Sequence, residues 1–189
     1  MDSSQARSRL LSNRRRKLTP QEKVNCQKIV KEAKNFKKTS IGLSSNKLNS
    51  LLSDTRNFIG IYPQDEVDKI SVSSFPVFFI VNLDSKELPG SHWLAIGLFV
   101  NKLEIFDSLG FKLFDWPRVP CSLLNFLQKF SQGRKVSVSN QMQSLDSNNC
   151  AFYCLFYVIF RNIASFNQLK SLFKSNYRRN DNTIKIIFG

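Results

Sequence analysis

Residues 141–154 read QMQSLDSNNCAFYC, and the two parts of this stretch differ in character. Gln141 to Asn149 is small and polar with no hydrophobic period, which is the pattern of a loop. From Cys150 the chain turns apolar (AFYCLFYVIF) as far as Phe160, and Arg161 closes the run. That length makes about three helical turns, and Ser147, Asn148 or Asn149 can supply the N-cap. Cys150 then falls in the first turn of a largely buried helix. Unpaired N–H groups and the positive end of the helix dipole favour a thiolate there, so Cys150 is a candidate nucleophile. The competing reading makes it one more small apolar residue of a core helix, the role Cys154 fits. The rest of the chain has to decide.

The chain has 189 residues, enough for one ordinary domain with a proper core. Its 17 Phe and 42% hydrophobic content suit aromatic packing. No apolar run reaches the length of a membrane span, and the basic N-terminus lacks the apolar segment of a secretory signal. Cysteines at 26, 121, 150 and 154 form no CxxC pair and there is a single histidine. That argues against a structural zinc site or a disulfide framework and for a reducing compartment. Net charge is +14, and residues 1–40 hold 12 Lys and Arg against 3 Asp and Glu, a local +9. Such a cluster suits nucleic acid, an acidic protein or an import receptor, or simply a solvated tail.

Residues 1–17 read as a basic flexible tail in which Arg14, Arg15, Arg16 and Lys17 form a candidate DNA-binding block. Thr19-Pro20-Gln21-Glu22 then opens a lysine-rich helix to about Phe36, the start of one domain spanning 18–189. A short helix is expected near Asn46 to Asp54, where Leu48, Leu51 and Leu52 share a face. Phe58 to Pro63 reads as extended, and Val77 to Asn82 as a buried strand. Pro89-Gly90 makes a turn, after which Trp93 to Val100 is a strand. Asn101-Lys102 is the expected two-residue hairpin turn, and Leu103 to Phe106 the return strand. Residues 111–120 are loop-like, Ser122 to Phe130 helical, and Lys135 to Ser139 a strand. Beyond the Cys150 helix we expect a basic helix over Asn167 to Tyr177 and a terminal strand over Thr183 to Phe188.

Thiol-based hydrolysis needs a base beside the sulfur, a group to orient that base, and donors for the oxyanion. His92 stands at the start of one central strand, and Asp107 at the end of the next. Gln141 and Gln143 lie in the loop just before Cys150; a glutamine carboxamide can donate to an oxyanion, and the Cys150 backbone N–H is a second donor. Each has a plainer reading: a packed or surface histidine, an aspartate capping the turn with Ser108 and Gly110, a glutamine satisfying loop backbone.

Taken together, His92-Trp93, the apolar strand, Phe106-Asp107-Ser108-Leu109-Gly110 and Gln143 seven residues before Cys150 resemble the adenovirus-type (adenain-like) cysteine proteases. FIGIYPQD at 58–65 and PGSHW look especially like the proteases of Maverick/Polinton elements and related DNA viruses. The SUMO-deconjugating proteases are a more distant likeness. The resemblance implies an α+β, papain-like/adenain-like fold, a central mixed β-sheet flanked by helices with the nucleophile at a helix N-terminus. It implies Cys150 as nucleophile, His92 as base, Asp107 as orienting acid, Gln143 as oxyanion donor and Trp93 as a wall of the substrate slot. The implied activity is a cysteine endopeptidase acting on viral or mobile-element capsid precursors after small residues such as Gly. DNA is the implied cofactor, with no metal. An activating peptide occurs in adenoviral members, for which Cys121 is a candidate anchor. The implied setting is the host nucleus or the virion, and the implied state a monomer without membrane attachment.

Two features depart from that pattern. Ala151 stands where the family usually has Gly, and a methyl there could crowd substrate. A turn at Asn101-Lys102 pairs Ile96 with Asp107, so His92 would sit roughly 13 Å along the strand from its acid, at ~3.4 Å per residue. Twist, a bulge or a wider turn would have to close that gap. Two alternatives stay open: a deconjugating protease of ubiquitin-like modifiers, and a catalytically weak DNA- or capsid-binding protein.

Overall fold

A computed structural model describes residues 43–110 and 119–188. The basic tail, the expected helix over 20–36 and most of the loop over 111–120 lie outside the described residues. Helix α1 (Ser45–Leu52) leads into β1 (Phe58–Pro63), a 3-10 turn (Gln64–Lys69) and β2 (Val77–Asn82). Then follow β3 (Trp93–Leu98), β4 (Lys102–Phe106), α2 (Cys121–Ser131), β5 (Lys135–Val138) and α3 (Cys150–Arg161). Helices α4 (Phe166–Ser171) and α5 (Tyr177–Phe188) end the chain. The five strands form one mixed sheet in the order β1-β2-β3-β4-β5, with β1/β2 and β4/β5 parallel and the central pairs antiparallel. Among the described residues no helix is long and apolar enough to cross a membrane.

The central strands are buried on both faces, which is why β2 reads as an apolar run from Val77 to Val81. Phe78, Ile80, Trp93, Ala95 and Phe106 pack with α3, while Phe79, Val81, Leu94, Ile96 and Ile105 pack with α2 and the 3-10 turn. This alternation is the strand period of two at work. Helix α3 lies close on β3 because Gly97 has no side chain: a Cβ there would sit 2.2 Å from the Tyr157 hydroxyl. At the far end of α3, the buried Glu104 carboxylate takes Arg161 Nε at 2.6 Å and Nη2 at 3.0 Å, Tyr157 Oη at 2.9 Å and Lys102 Nζ at 2.6 Å. Burial pushes the Glu104 carboxyl up, but Arg161 and Lys102 outweigh it and hold the group below its ordinary range.

Three expectations need correction. The hairpin turns at Val100-Asn101, one residue earlier than expected, with Leu98 opposite Leu103 and Ala95 opposite Phe106. That register sets Leu94, not Ile96, across from Asp107, leaving two residues to His92 instead of four. Thr183 to Phe188 is helical and belongs to α5, not to a strand. In place of one helix over Asn167 to Tyr177 there is the short α4, opened by a capping box of Ser165 and Gln168. The chain is turned after it by Asn180, which accepts from Lys174 N–H at 3.0 Å and donates to Lys174 C=O at 2.7 Å.

Candidate active site

At the end of the sheet where β3 begins and β4 ends, His92 Nε2 meets Asp107 Oδ1 at 2.8 Å, both side chains buried. With an offset of two residues the strands are separated along their length by roughly 7 Å, which the two side chains bridge. The corrected hairpin register thus closes the gap that the sequence left open. Asp107 Oδ1 also accepts the Leu109 N–H at 2.9 Å, so the turn-capping role and the partnership with His92 coexist on one carboxylate. Ser139 secures the same residue: its Oγ accepts from Asp107 N–H at 2.8 Å and donates to Asp107 C=O at 2.7 Å.

Cys150 is the first residue of α3, and its thiol stands near enough to the His92 ring to help raise the pKa of that ring. Since Nε2 faces Asp107, Nδ1 is the nitrogen left for the sulfur. Burial is the largest influence on the imidazole and pushes its pKa down. The hydrogen bonds to Asp107 and Cys150, with their charges, overcome it and raise the value from 6.5 to about 9. An imidazolium so held lends positive charge to the adjacent sulfur. Cys154 lies one turn on in the core, where burial first, then the nearby Cys150 and Asp107, push its thiol well up.

The polar loop before α3 is tied to the residue after Asp107. Ser108 C=O accepts both the Met142 and the Gln143 N–H at 2.8 Å, and Ser108 Oγ donates to Gln143 Oε1 at 2.6 Å. That bond fixes which end of the carboxamide is the donor. Nε2 gives one hydrogen to Ser147 C=O at 2.5 Å and has a second to offer. Gly110 permits this crossing, with φ of +66° and the backbone of Gln141 so near that a Cβ would lie 2.0 Å from its nitrogen. Asn149 occupies the N-cap position without a side-chain cap bond, and its buried Nδ2 has no partner among the described residues. The Asn149 side chain therefore leaves the first-turn N–H groups of α3 uncapped.

Sequence reasoning brought His92, Asp107, Gln143 and Cys150 to one end of the sheet, where the structure has them. It missed Ser108 and Ser139. The signal for Ser108 was its place within Asp107-Ser108-Leu109-Gly110; Ser139 gave none. Trp93 is 6% exposed and packs in the core with Phe106 and Cys150. Ala151 is 2% exposed in the same cluster, so its methyl points into packing and not toward solvent. Cys121 is exposed at the start of α2, and Arg14, Arg15, Arg16 and Lys17 lie outside the described residues.

No protein-family model matches the chain and no curated protein matches it. Solved structures do. The ASFV pS273R protease aligns over 79% of this chain and 67% of its own, with a TM-score of 0.53 and 16% identity. The fold is that of an adenain-like cysteine protease. The SUMO protease Ulp1 is also similar, covering 92% of this chain and 96% of its own at a TM-score of 0.41 and 10% identity. HopZ1a in complex with IP6 and CoA covers 94% and 61%, at 0.44 and 13%. Within the adenain-like fold the expected layout holds: an α+β chain with a mixed five-stranded sheet and Cys150 opening a helix packed on it.

Proposed function

We propose that the protein is a cysteine endopeptidase with Cys150 as nucleophile, His92 as base and then acid, Asp107 as orienting carboxylate and Gln143 as oxyanion donor. The observation that carries this reading is the single imidazole joined to Asp107 at 2.8 Å through Nε2, with the Cys150 thiol beside the same ring. In the first half-reaction the sulfur, its proton resting on His92, bonds to the scissile carbonyl carbon. The carbonyl electron pair moves to oxygen, where Gln143 Nε2 and the Cys150 N–H donate to it. His92 protonates the departing amine nitrogen, the C–N bond breaks and a thioester remains. Neutral His92 then takes a proton from water, whose oxygen attacks the thioester and releases the acid and the sulfur. Asp107 keeps Nε2 protonated and the ring in one tautomer.

The natural substrates in this reading are capsid precursors of a DNA virus or mobile element, cut after small residues in the host nucleus or virion. The buried Trp93, packed in the same cluster as Cys150, agrees with a narrow approach to the sulfur. The +14 charge supports DNA as the cofactor that gathers enzyme and substrate, with Arg14, Arg15, Arg16 and Lys17 among the contacts. The exposed Cys121 supports an anchor for an activating peptide. The experiment is turnover of Gly-containing peptides by the wild-type chain and by Cys150→Ser, each with and without duplex DNA. Hydrolysis lost in Cys150→Ser and raised by DNA is the expected result. Equal hydrolysis by both proteins, or none by either, removes the endopeptidase reading and favours a DNA- or capsid-binding protein.

A further inference from the structure

Helix α5 reaches the loop that carries Gln143, and no role described so far uses it. Asn180 and Asp181, near its start, are 3% and 5% exposed. Asp181 Oδ2 accepts the Ser144 N–H at 3.1 Å, and Asp181 Oδ1 lies 3.1 Å from the hydroxyl of Tyr153, which stands one turn after Cys150. The same hydroxyl is 3.2 Å from Met142 C=O, and Asn180 Nδ2 donates to that carbonyl at 2.9 Å. The residues on either side of Gln143 are therefore pinned, Met142 through its carbonyl and Ser144 through its amide. Ser108 holds the opposite side of the loop.

A loop without secondary structure has little of its own to fix a side chain, and a carboxylate is costly to bury. Among the described residues, the hydrogen-bond partners of the Asp181 carboxylate are two neutral donors, the Ser144 N–H and the Tyr153 O–H, and together they join the loop to the nucleophile's helix. We propose that Asp181, Asn180 and Tyr153 are positioning residues for Gln143, clamping its loop between α5 and α3 so that its carboxamide keeps one place relative to Cys150. This rests on the reading of Gln143 as oxyanion donor. It adds that the C-terminal helix governs that donor without touching substrate.

The test separates two reactions of one sulfur. Alkylation of Cys150 by iodoacetamide needs the Cys150–His92 pair but no oxyanion donor; peptide hydrolysis needs both. For Asp181→Asn, which sets an amide where the Ser144 N–H or the Tyr153 hydroxyl requires an acceptor, kcat should fall by about 10- to 100-fold. KM and the alkylation rate should move by less than about threefold. The double variant with Gln143→Ala should be no slower than Gln143→Ala alone, since both changes remove the same interaction. If Asp181→Asn does not fold, Tyr153→Phe, which deletes only the hydroxyl, takes its place with the same expectations. Unchanged kcat, parallel loss of alkylation and hydrolysis, or full additivity with Gln143→Ala overturns the clamp while leaving the endopeptidase intact. A wild-type chain that alkylates at Cys150 but hydrolyses no peptide overturns both.

Discussion

His92 sets the pH response of the site. Its pKa rises on folding from 6.5 to about 9, so the protonated ring is what the folded state prefers. The stability it contributes is fully present below 6.5 and is lost as pH climbs through about 9. Urea unfolding of the wild type should thus lose an advantage over His92→Gln across that window, by at most about 3 kcal/mol. A difference that stays flat from pH 6.5 to 9 would contradict the assignment. Gln143→Ala removes a donor that acts only once charge develops on the substrate oxygen. It should lower kcat by roughly 10²–10³, with KM little changed in steady-state peptide assays. Of these residues, His92, Asp107, Gln143 and Cys150 were legible because each sits in a local context of fixed type: a strand start, a turn, a polar loop, a helix start. Ser139 was not, because a lone serine in a strand end announces no partner.

Elements were legible where burial alone decides them and illegible where tertiary contacts override pattern. Val77–Asn82 is apolar as far as Val81 and sits where expected. The hairpin turn was misjudged by one residue because Val100-Asn101 and Asn101-Lys102 differ little in turn chemistry, and a slip of one moves the facing residue by two. Thr183 to Phe188 alternates like a strand, yet Ile184, Ile187 and Phe188 also fit a helical face, and α5 buries all three, with Phe188 stacked on Phe152 at 6.3 Å. Two substitutions test how α3 is seated. Gly97→Ala brings a methyl against the Tyr157 hydroxyl and should cost about 1–3 kcal/mol in urea unfolding. Glu104→Ala strands Arg161 and Lys102 beside an empty site, and a loss of about 3–5 kcal/mol is expected. An unaffected unfolding midpoint in either variant would show that the helix is not held as described.

The charge of the whole molecule is as informative as its fold. Residues 1–17 contain six of its cationic side chains, Arg7, Arg9, Arg14, Arg15, Arg16 and Lys17. If each neutralises a DNA phosphate, the plot of log K against log salt should flatten by up to about 5 on removing them, at about 0.9 per phosphate. An unchanged slope would take the tail out of DNA binding. The adenain-like architecture was legible as a resemblance carried by a handful of motifs. The clamp from α5 was not, since Asn180 and Asp181 lie in a polar, arginine-rich stretch between the expected helix over Asn167 to Tyr177 and the expected strand over Thr183 to Phe188, with no pattern of its own.

Hydrolysis at this site requires a Cys150 sulfur made reactive by its neighbours, and mass-mapped iodoacetamide labelling at pH 7 tests this most directly. Cys150, 9% exposed, should label faster than the exposed Cys121, and that advantage should vanish in His92→Ala. Cys121 labelling first, with Cys150 equally slow in both proteins, would contradict it.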